Sequence, residues 1–253
     1  MAGSDSSSGA GIQADLKTFA ARGVYGVNAV TCIVAETPGK VSRIQAADPA
    51  IVREQIELLL ANFPVTAIKT GLLCNAQIVA VVARALRRVK RRKLVVDPVM
   101  IATSGDALLT PDADAIYERE LFPLASLLTP NLNEAARLLG DEIRDLRAMR
   151  GAATALARKY GAPVLLKGGH LRGARAVDVL SDGTRTREFS SAFVPKVKTH
   201  GTGCTYSAAI TAELAKGAEL TRAITRAKRF VTAAIGGHHV WKKGGRKIAA
   251  LNV

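Results

Sequence analysis

The chain is poor in cysteine, poor in aromatic residues and free of long apolar runs. Its three cysteines, Cys32, Cys74 and Cys204, are odd in number and unclustered, which excludes a disulfide framework and a cysteine-based zinc site. That usage points to a reduced, cytoplasmic protein. No run of 18 apolar residues occurs, so no membrane-spanning helix is expected. The opening Met1-Ala2-Gly3-Ser4-Asp5 has neither a basic nor an apolar region of the kind that marks a signal peptide. Aromatic residues make up 4%, and none interleaves with the basic run Arg84 to Lys93, which leaves no stacking platform for nucleic acid. There is no Gly-x-x-x-x-Gly-Lys-[Ser/Thr], so the chain is not a P-loop protein, and Gly168 to Gly173 lacks the context of a dinucleotide fingerprint.

What is present is a chain of 253 residues, 48% apolar, with a formal net charge of +15. The length fits one large α/β domain, and no repeat, linker or low-complexity block divides it. The positive charge gathers in Arg84 to Lys93 and in a tail from Trp241 onward. We read the first as a solvated helix end, where cations complement the dipole, and the second as a basic tail. A positive field also suits a phosphorylated substrate.

Helical and strand patterns alternate. Helices are expected over Gly11–Arg22, Pro49–Asn62, Ala76–Lys90, Asp112–Leu121, Leu132–Leu139, Leu146–Tyr160, Gly203–Lys216 and Leu220–His239. Strands are expected over Tyr25–Ala35, Val65–Ile68, Leu94–Val96, Ser126–Leu128, Val164–Leu166, Ala176–Leu180 and Thr186–Phe189, the last two around the turn Ser181-Asp182-Gly183. Short apolar strands between amphipathic helices predict βαβ units and a buried, mostly parallel sheet.

Four of these strands run straight into polar or turn-forming residues: Lys69-Thr70-Gly71, Asp97-Pro98, Thr129-Pro130-Asn131 with Glu134, and Lys167-Gly168-Gly169-His170. In open α/β sheets the ligand crevice lies beyond the carboxyl ends of the strands. Chain order therefore predicts one crevice lined by Lys69, Asp97, Asn131, Glu134 and Lys167. Two carboxylates, Asp97 and Glu134, can hold Mg²⁺ against phosphates, directly or through water, and a lysine neutralises phosphate charge. Any one of these alone reads as a turn residue or a cap. Lys198 to Thr205 then leads into an Ala-rich helical run, and its glycines allow the backbone to close round an anion at a helix N-terminus. Cys204 is placed in that cradle, where a thiol is expected to ionise more easily.

The opening Ala2-Gly3-Ser4-Asp5-Ser6-Ser7-Ser8-Gly9-Ala10-Gly11-Ile12-Gln13-Ala14-Asp15-Leu16-Lys17-Thr18 closely resembles the hydroxymethylpyrimidine/phosphomethylpyrimidine kinases of thiamin biosynthesis, a branch of the ribokinase-like superfamily. So do Lys69-Thr70-Gly71, Asp97-Pro98-Val99-Met100, Thr129 to Ala135, Lys167-Gly168-Gly169-His170 and His200-Gly201-Thr202-Gly203-Cys204, in order, from Ala2 to about Ala234. The resemblance implies a three-layer α/β/α ribokinase-like fold, ATP and Mg²⁺, and a homodimer. It places Gly3, Asp5 and Ala10 in the pyrimidine pocket, with Val99 and Met100 near the ring. It makes Gly201, Thr202 and Gly203 the anion hole for the transferred phosphoryl group, and puts Cys204 where sugar kinases carry an Asp base. Lys167, with Asn131 and Thr202, would contact the nucleotide, and Asp97 and Glu134 would serve the metal.

The chain departs from the family pattern in three places. The strand that usually precedes Ala-Gly-Ser-Asp is missing, because the chain begins at Met1: either the start is misassigned or this central strand is shortened. Glu36 stands where the family often has a Gln that reads the aminopyrimidine edge; a carboxylate accepts hydrogen bonds but does not donate them unless protonated. The Gly-rich ending survives only as Gly236-Gly237-His238, followed by the basic tail. Cys32 and Cys74 read as small buried packing residues, and His238 and His239 as surface residues at a helix end. The implied activity is ATP-dependent phosphorylation of 4-amino-5-hydroxymethyl-2-methylpyrimidine and then of its monophosphate. The alternatives are a pyridoxine/pyridoxal kinase of the same branch, and an inactive protein of this fold that binds pyrimidine or nucleic acid.

Overall fold

Burial alternates along the central strands as a two-sided sheet requires. Leu94 and Val96 pack into one apolar cluster while Val95 between them packs into another, and Val164 and Leu166 lie opposite Leu165 in the same way. The computed structural model describes residues 1–89, 92–100, 110, 112–169, 175–194 and 200–253. His170, Lys198 and Thr199 of the motifs, and Lys90 and Arg91 of the basic run, lie outside them.

The strands are β1 (Ala2–Asp5), β2 (Val30–Thr37), β3 (Lys40–Ala46), β4 (Ala67–Thr70), β5 (Lys93–Val96), β6 (Leu127–Leu128), β7 (Val164–Lys167), β8 (Arg175–Ser181), β9 (Thr186–Ala192), β10 (His239–Lys243) and β11 (Arg246–Ala250). The helices are α1 (Gly11–Ala21), α2 (Pro49–Asn62), α3 (Ala76–Arg87), α4 (Ala113–Ile116, continued by a wider π turn over Tyr117–Leu121), α5 (Leu132–Leu139), α6 (Leu146–Tyr160), α7 (Thr202–Ala215) and α8 (Leu220–Gly236).

Strands β4, β5, β6 and β7 are parallel neighbours in that order, and β8 and β9 extend the sheet antiparallel. β1 pairs parallel with β2, and β2 antiparallel with β3. The two groups join at Met1, whose ammonium donates to the Lys69 carbonyl at 2.8 Å and whose carbonyl accepts from Gly71 N–H at 2.9 Å. α2, α3, α5 and α6 cover one face, and α7 and α8 the other, with α1 packed on α7. The fold is therefore the expected three-layer α/β/α arrangement with a mixed, mostly parallel sheet.

Four expectations are corrected. Ala2–Asp5, which the expected strands did not include, is itself β1. Lys40–Ala46 forms β3, turned back by Pro38-Gly39 with Gly39 at φ +85. The basic tail is the hairpin β10–β11, closed by Gly244-Gly245 at φ +56 and +75, so α8 stops at Gly236 and not at His239. Cys32 is buried as expected, but Cys74 is only half-buried and sits at φ +70.

Candidate active site

Asp97 and Lys167 stand at the carboxyl ends of β5 and β7 and meet across β6, with Lys167 Nζ donating to Asp97 Oδ1 at 2.7 Å. Thr129, at the end of β6, donates to the same oxygen at 3.3 Å. Ser207 of α7 donates to Oδ2 at 3.0 Å. The start of α7 closes over this pair. Gly201 caps the helix in the left-handed region at φ +79, its carbonyl accepting from Thr205 N–H at 2.9 Å. A Cβ placed on Gly203 would lie 3.3 Å from Lys167 Nζ and 3.9 Å from Asp97 Oδ2, so a residue without a side chain lets the helix N-terminus approach the lysine this closely. First-turn amides, the positive end of a 14-residue helix and an ammonium thus converge on one spot.

Glu134 and Asn131 form a reciprocal cap at the start of α5. Asn131 Oδ1 accepts from Glu134 N–H at 2.9 Å, and Glu134 Oε2 accepts from Asn131 N–H at 2.8 Å. The Asn-x-x-Glu spacing carried that signature in the sequence. Glu134 Oε1 accepts from Met100 N–H at 3.3 Å. Burial, with Asp97 close by, lifts the Glu134 carboxyl to about 7 against the pull of Lys167. Asp97 is held below its usual range: burial pushes it up, and Lys167 and Lys69 outweigh that. All four carboxylate oxygens already accept hydrogen bonds, and the excess negative charge is buried. The pair therefore fits Mg²⁺ held through water better than direct ligation.

Lys69 is as buried as Asp97 and Glu134 and donates to Asp15 of α1 at 2.7 Å, so Asp15 takes up its charge. Cys204 is in the first turn of α7 as expected, but its thiol is pushed up to about 11, not down. Burial dominates, Asp97 and Asp15 add to it, and Lys69 opposes without winning. Cys204 is thus a neutral thiol near pH 7. Alkylation by iodoacetamide, followed by mass spectrometry, should be slow at pH 7.5 and accelerate toward pH 10. Labelling at pH 7.5 as fast as a free thiol would restore the expectation of an ionised cysteine.

Apart from this constellation, the Asp5 carboxylate organises the loop after β1. Oδ1 accepts from Ser7 N–H at 2.6 Å, and Oδ2 from Gly9 and Ala10 N–H at 3.1 and 2.7 Å. His200 Nε2 is 2.9 Å from Oδ2. Burial opposes these bonds, yet they bring Asp5 down to about 2. Asp5 therefore fixes the loop and does not turn its charge outward. Gly3 packs against β2, since a Cβ there would sit 2.6 Å from Cys32 Sγ. Ala10 is buried, Val99 adopts φ +45, and Met100 is buried in the core. The structure brings Asp97, Lys167, Gly203 and Glu134 together, and separately Asp5, Glu36 and His200. Sequence reasoning missed Ser207, Thr129 and Asp15; Ser207 could have been found, because Gly203 and Ser207 are one turn apart on the same helix face.

A mostly apolar cavity of about 380 Å³ lies elsewhere. Met1, Ile12, Phe19, Tyr25, Leu59 and Val65 line it, at the amino ends of the strands. The polar constellation lies at their carboxyl ends, where ligands bind in such sheets.

The family model for phosphomethylpyrimidine kinase matches residues 5–248. A thiamine biosynthesis bifunctional protein of Geobacter sulfurreducens is 46% identical over 235 residues, covering 93% of this chain and 48% of its own, so the chain spans about half of that relative's length. A hydroxymethylpyrimidine/phosphomethylpyrimidine kinase of Rhizobium meliloti is 46% identical over 236 residues, covering 93% of this chain and 88% of its own. The crystal structure of an ADP complex of Bacillus subtilis pyridoxal kinase superposes with a TM-score of 0.89 at 39% identity, covering 99% of this chain and 95% of that one. By motif order, by fold and by a match across most of its length, the chain belongs to the phosphomethylpyrimidine kinase family.

Proposed function

We propose that the chain transfers a phosphoryl group from ATP to the hydroxymethyl group of 4-amino-5-hydroxymethyl-2-methylpyrimidine, and then to the resulting monophosphate. The observation that carries this reading is the approach of Gly203 to the Lys167–Asp97 pair at the head of α7. Phosphoryl transfer is mostly positioning and charge stabilisation, which this arrangement offers. Backbone N–H groups of Gly201, Thr202 and Gly203 receive the transferred phosphoryl oxygens, and Lys167 balances their charge. Asn131 and Thr202 stand on the nucleotide side. Asp97 and Glu134 would hold Mg²⁺ through water. When bound, the cation neutralises phosphate charge and aligns donor with acceptor.

Gly3, Ala10 and Val99 form the ring pocket, walled by the Asp5 loop and backed by Met100. Glu36 accepts from the exocyclic amine. Cys204, neutral in the free protein, faces the hydroxyl; a loose transition state asks little of a base. We take the chain as one kinase domain, working in the cytoplasm as a homodimer.

The likeness to a pyridoxal kinase favours a second reading, phosphorylation of pyridoxal or pyridoxine. ATP consumption with hydroxymethylpyrimidine, its monophosphate and pyridoxal, measured side by side, decides. The two pyrimidines should be turned over with kcat/KM above that of pyridoxal. Turnover of pyridoxal alone would move the assignment to the second reading, and turnover of none would leave a binding protein.

A further inference from the structure

Three ionisable side chains from three separate segments meet beside the proposed pyrimidine pocket and take no part in holding phosphate. Asp5 ends β1, Glu36 lies near the end of β2, and His200 precedes the cap of α7. Their ligating atoms lie within 4.8 Å of one another. His200 Nε2 is 2.9 Å from Asp5 Oδ2 and 3.6 Å from Glu36 Oε2. The Glu36 backbone is pinned as well: its N–H donates to Ser6 Oγ at 2.9 Å, and Ser6 Oγ–H donates to the Glu36 carbonyl at 2.7 Å.

The two carboxylates differ in what they still can do. Asp5 is nearly inaccessible and already accepts from the loop amides and from His200. Glu36 has the imidazole at long range on one oxygen, and its side chain keeps 13% of its surface exposed. With His200 protonated, the cluster carries one positive and two negative charges and is one positive charge short. Burial pulls His200 down, but the Asp5 bond and the two carboxylates pull it up further, which favours the imidazolium. Asp5 and Glu36 are the charged groups that act on His200 among the described residues, and Ala250 of β11, which pairs with its backbone, brings none. Glu36 is raised by burial and by Asp5, and lowered by His200, so the imidazole favours its ionised form against the other two.

We propose that Asp5 and His200 form a support that holds Glu36 as an anionic receptor for an amidine-like edge, an exocyclic amine beside a protonated ring nitrogen, so that His200 is a positioning and specificity residue acting through Glu36. A carboxylate and such an edge pair through two parallel N–H···O bonds, and the edge supplies the missing positive charge. Pyridoxal offers a phenolic oxygen in place of an amine and does not complete the cluster. This inference rests on the proposed pyrimidine reading and specifies how that site selects its ligand.

A double-mutant cycle tests it with Glu36→Leu, His200→Asn and the pair. The readout is the dissociation constant of 4-amino-5-hydroxymethyl-2-methylpyrimidine by calorimetry, with ATP affinity measured alongside. Each single substitution should weaken pyrimidine binding roughly tenfold or more. In the Glu36→Leu background His200→Asn should add less than about threefold, because its effect passes through the missing carboxylate. ATP affinity should hold throughout. Equal losses from His200→Asn in both backgrounds, or unchanged pyrimidine affinity, overturn the proposal. If His200→Asn folds poorly, Glu36→Leu alone suffices: the His200 ring resonance, followed by NMR, should titrate at lower pH than in the unmodified chain, and an unchanged midpoint overturns the coupling. A chain that binds the pyrimidine with the predicted coupling yet consumes no ATP defeats the kinase reading and leaves this one standing. Normal turnover with additive losses does the reverse.

Discussion

Lys167→Met should abolish most activity and also lower stability. The ammonium is the cation nearest the helix N-terminus and the Gly203 amide, so its removal deprives the transferring phosphoryl group of its main charge partner among side chains. Losing one such preorganised electrostatic contact costs about 10²–10³ in kcat. The same substitution leaves Asp97, with 3% of its side chain exposed, without its ion-pair partner. Breaking a buried pair from one side costs about 3–5 kcal/mol, softened here by the hydroxyls of Ser207 and Thr129 and by Lys69. Because Asp97 is held below its usual range, the pair's contribution is present above about pH 4 and is lost as pH falls toward the folded-state value. Adding Asp97→Asn to Lys167→Met should recover stability by neutralising the orphaned charge, yet recover no activity. Thermal melts and steady-state kinetics of the three variants check this. A single variant that turns over normally, or a double variant no more stable than the single, sinks the assignment.

Much of this was legible because the informative residues sit where strands stop. Asp97, Lys167 and the Asn131-Glu134 pair each follow a short apolar run, and parallel topology brings such ends together whatever the loops do. Other features were hidden for physical reasons. β3 is largely exposed, so Lys40–Ala46 lacks the apolar alternation that marks a half-buried strand. The tail hairpin is exposed along β10, and charge counting sees only its lysines. Cys204 was placed correctly on its helix but given the wrong protonation. A helix N-terminus and a nearby lysine favour a thiolate, and only the fold reveals that burial and two carboxylates outweigh them. The partner of Lys69 is hidden for a similar reason: Asp15 is 54 residues away in sequence. His200 was quoted within its motif without a role, since neither Asp5 nor Glu36 is near it in the chain.

Gly201→Ala should be the most damaging small substitution in the phosphate loop. Gly201 lies at φ +79, where a residue with a Cβ is strained by about 1–2 kcal/mol. The larger effect is steric, because that Cβ would lie 1.7 Å from the Gly9 carbonyl oxygen and 3.1 Å from Ala10 Cα. Both are backbone atoms of the loop that Asp5 ties down through the Gly9 and Ala10 amides, so neither side yields easily. The first turn of α7 must move away from the β1–α1 loop by an ångström or more, and a displacement of that size at reacting groups can cost about 10² in rate. We expect kcat to fall by at least about 10², with a lowered melting temperature, since the Gly201 carbonyl also opens α7 by accepting from Thr205. Gly203→Ala provides the contrast. Its Cβ would meet Lys167 Nζ at 3.3 Å, the far end of a flexible side chain, and no backbone lies in the way. That variant should melt close to the unmodified protein while its kcat/KM for ATP falls, because the lysine is pushed off the phosphate position. If Gly201→Ala melts and turns over like the unmodified chain, the close packing of these two loops is not what positions the anion hole.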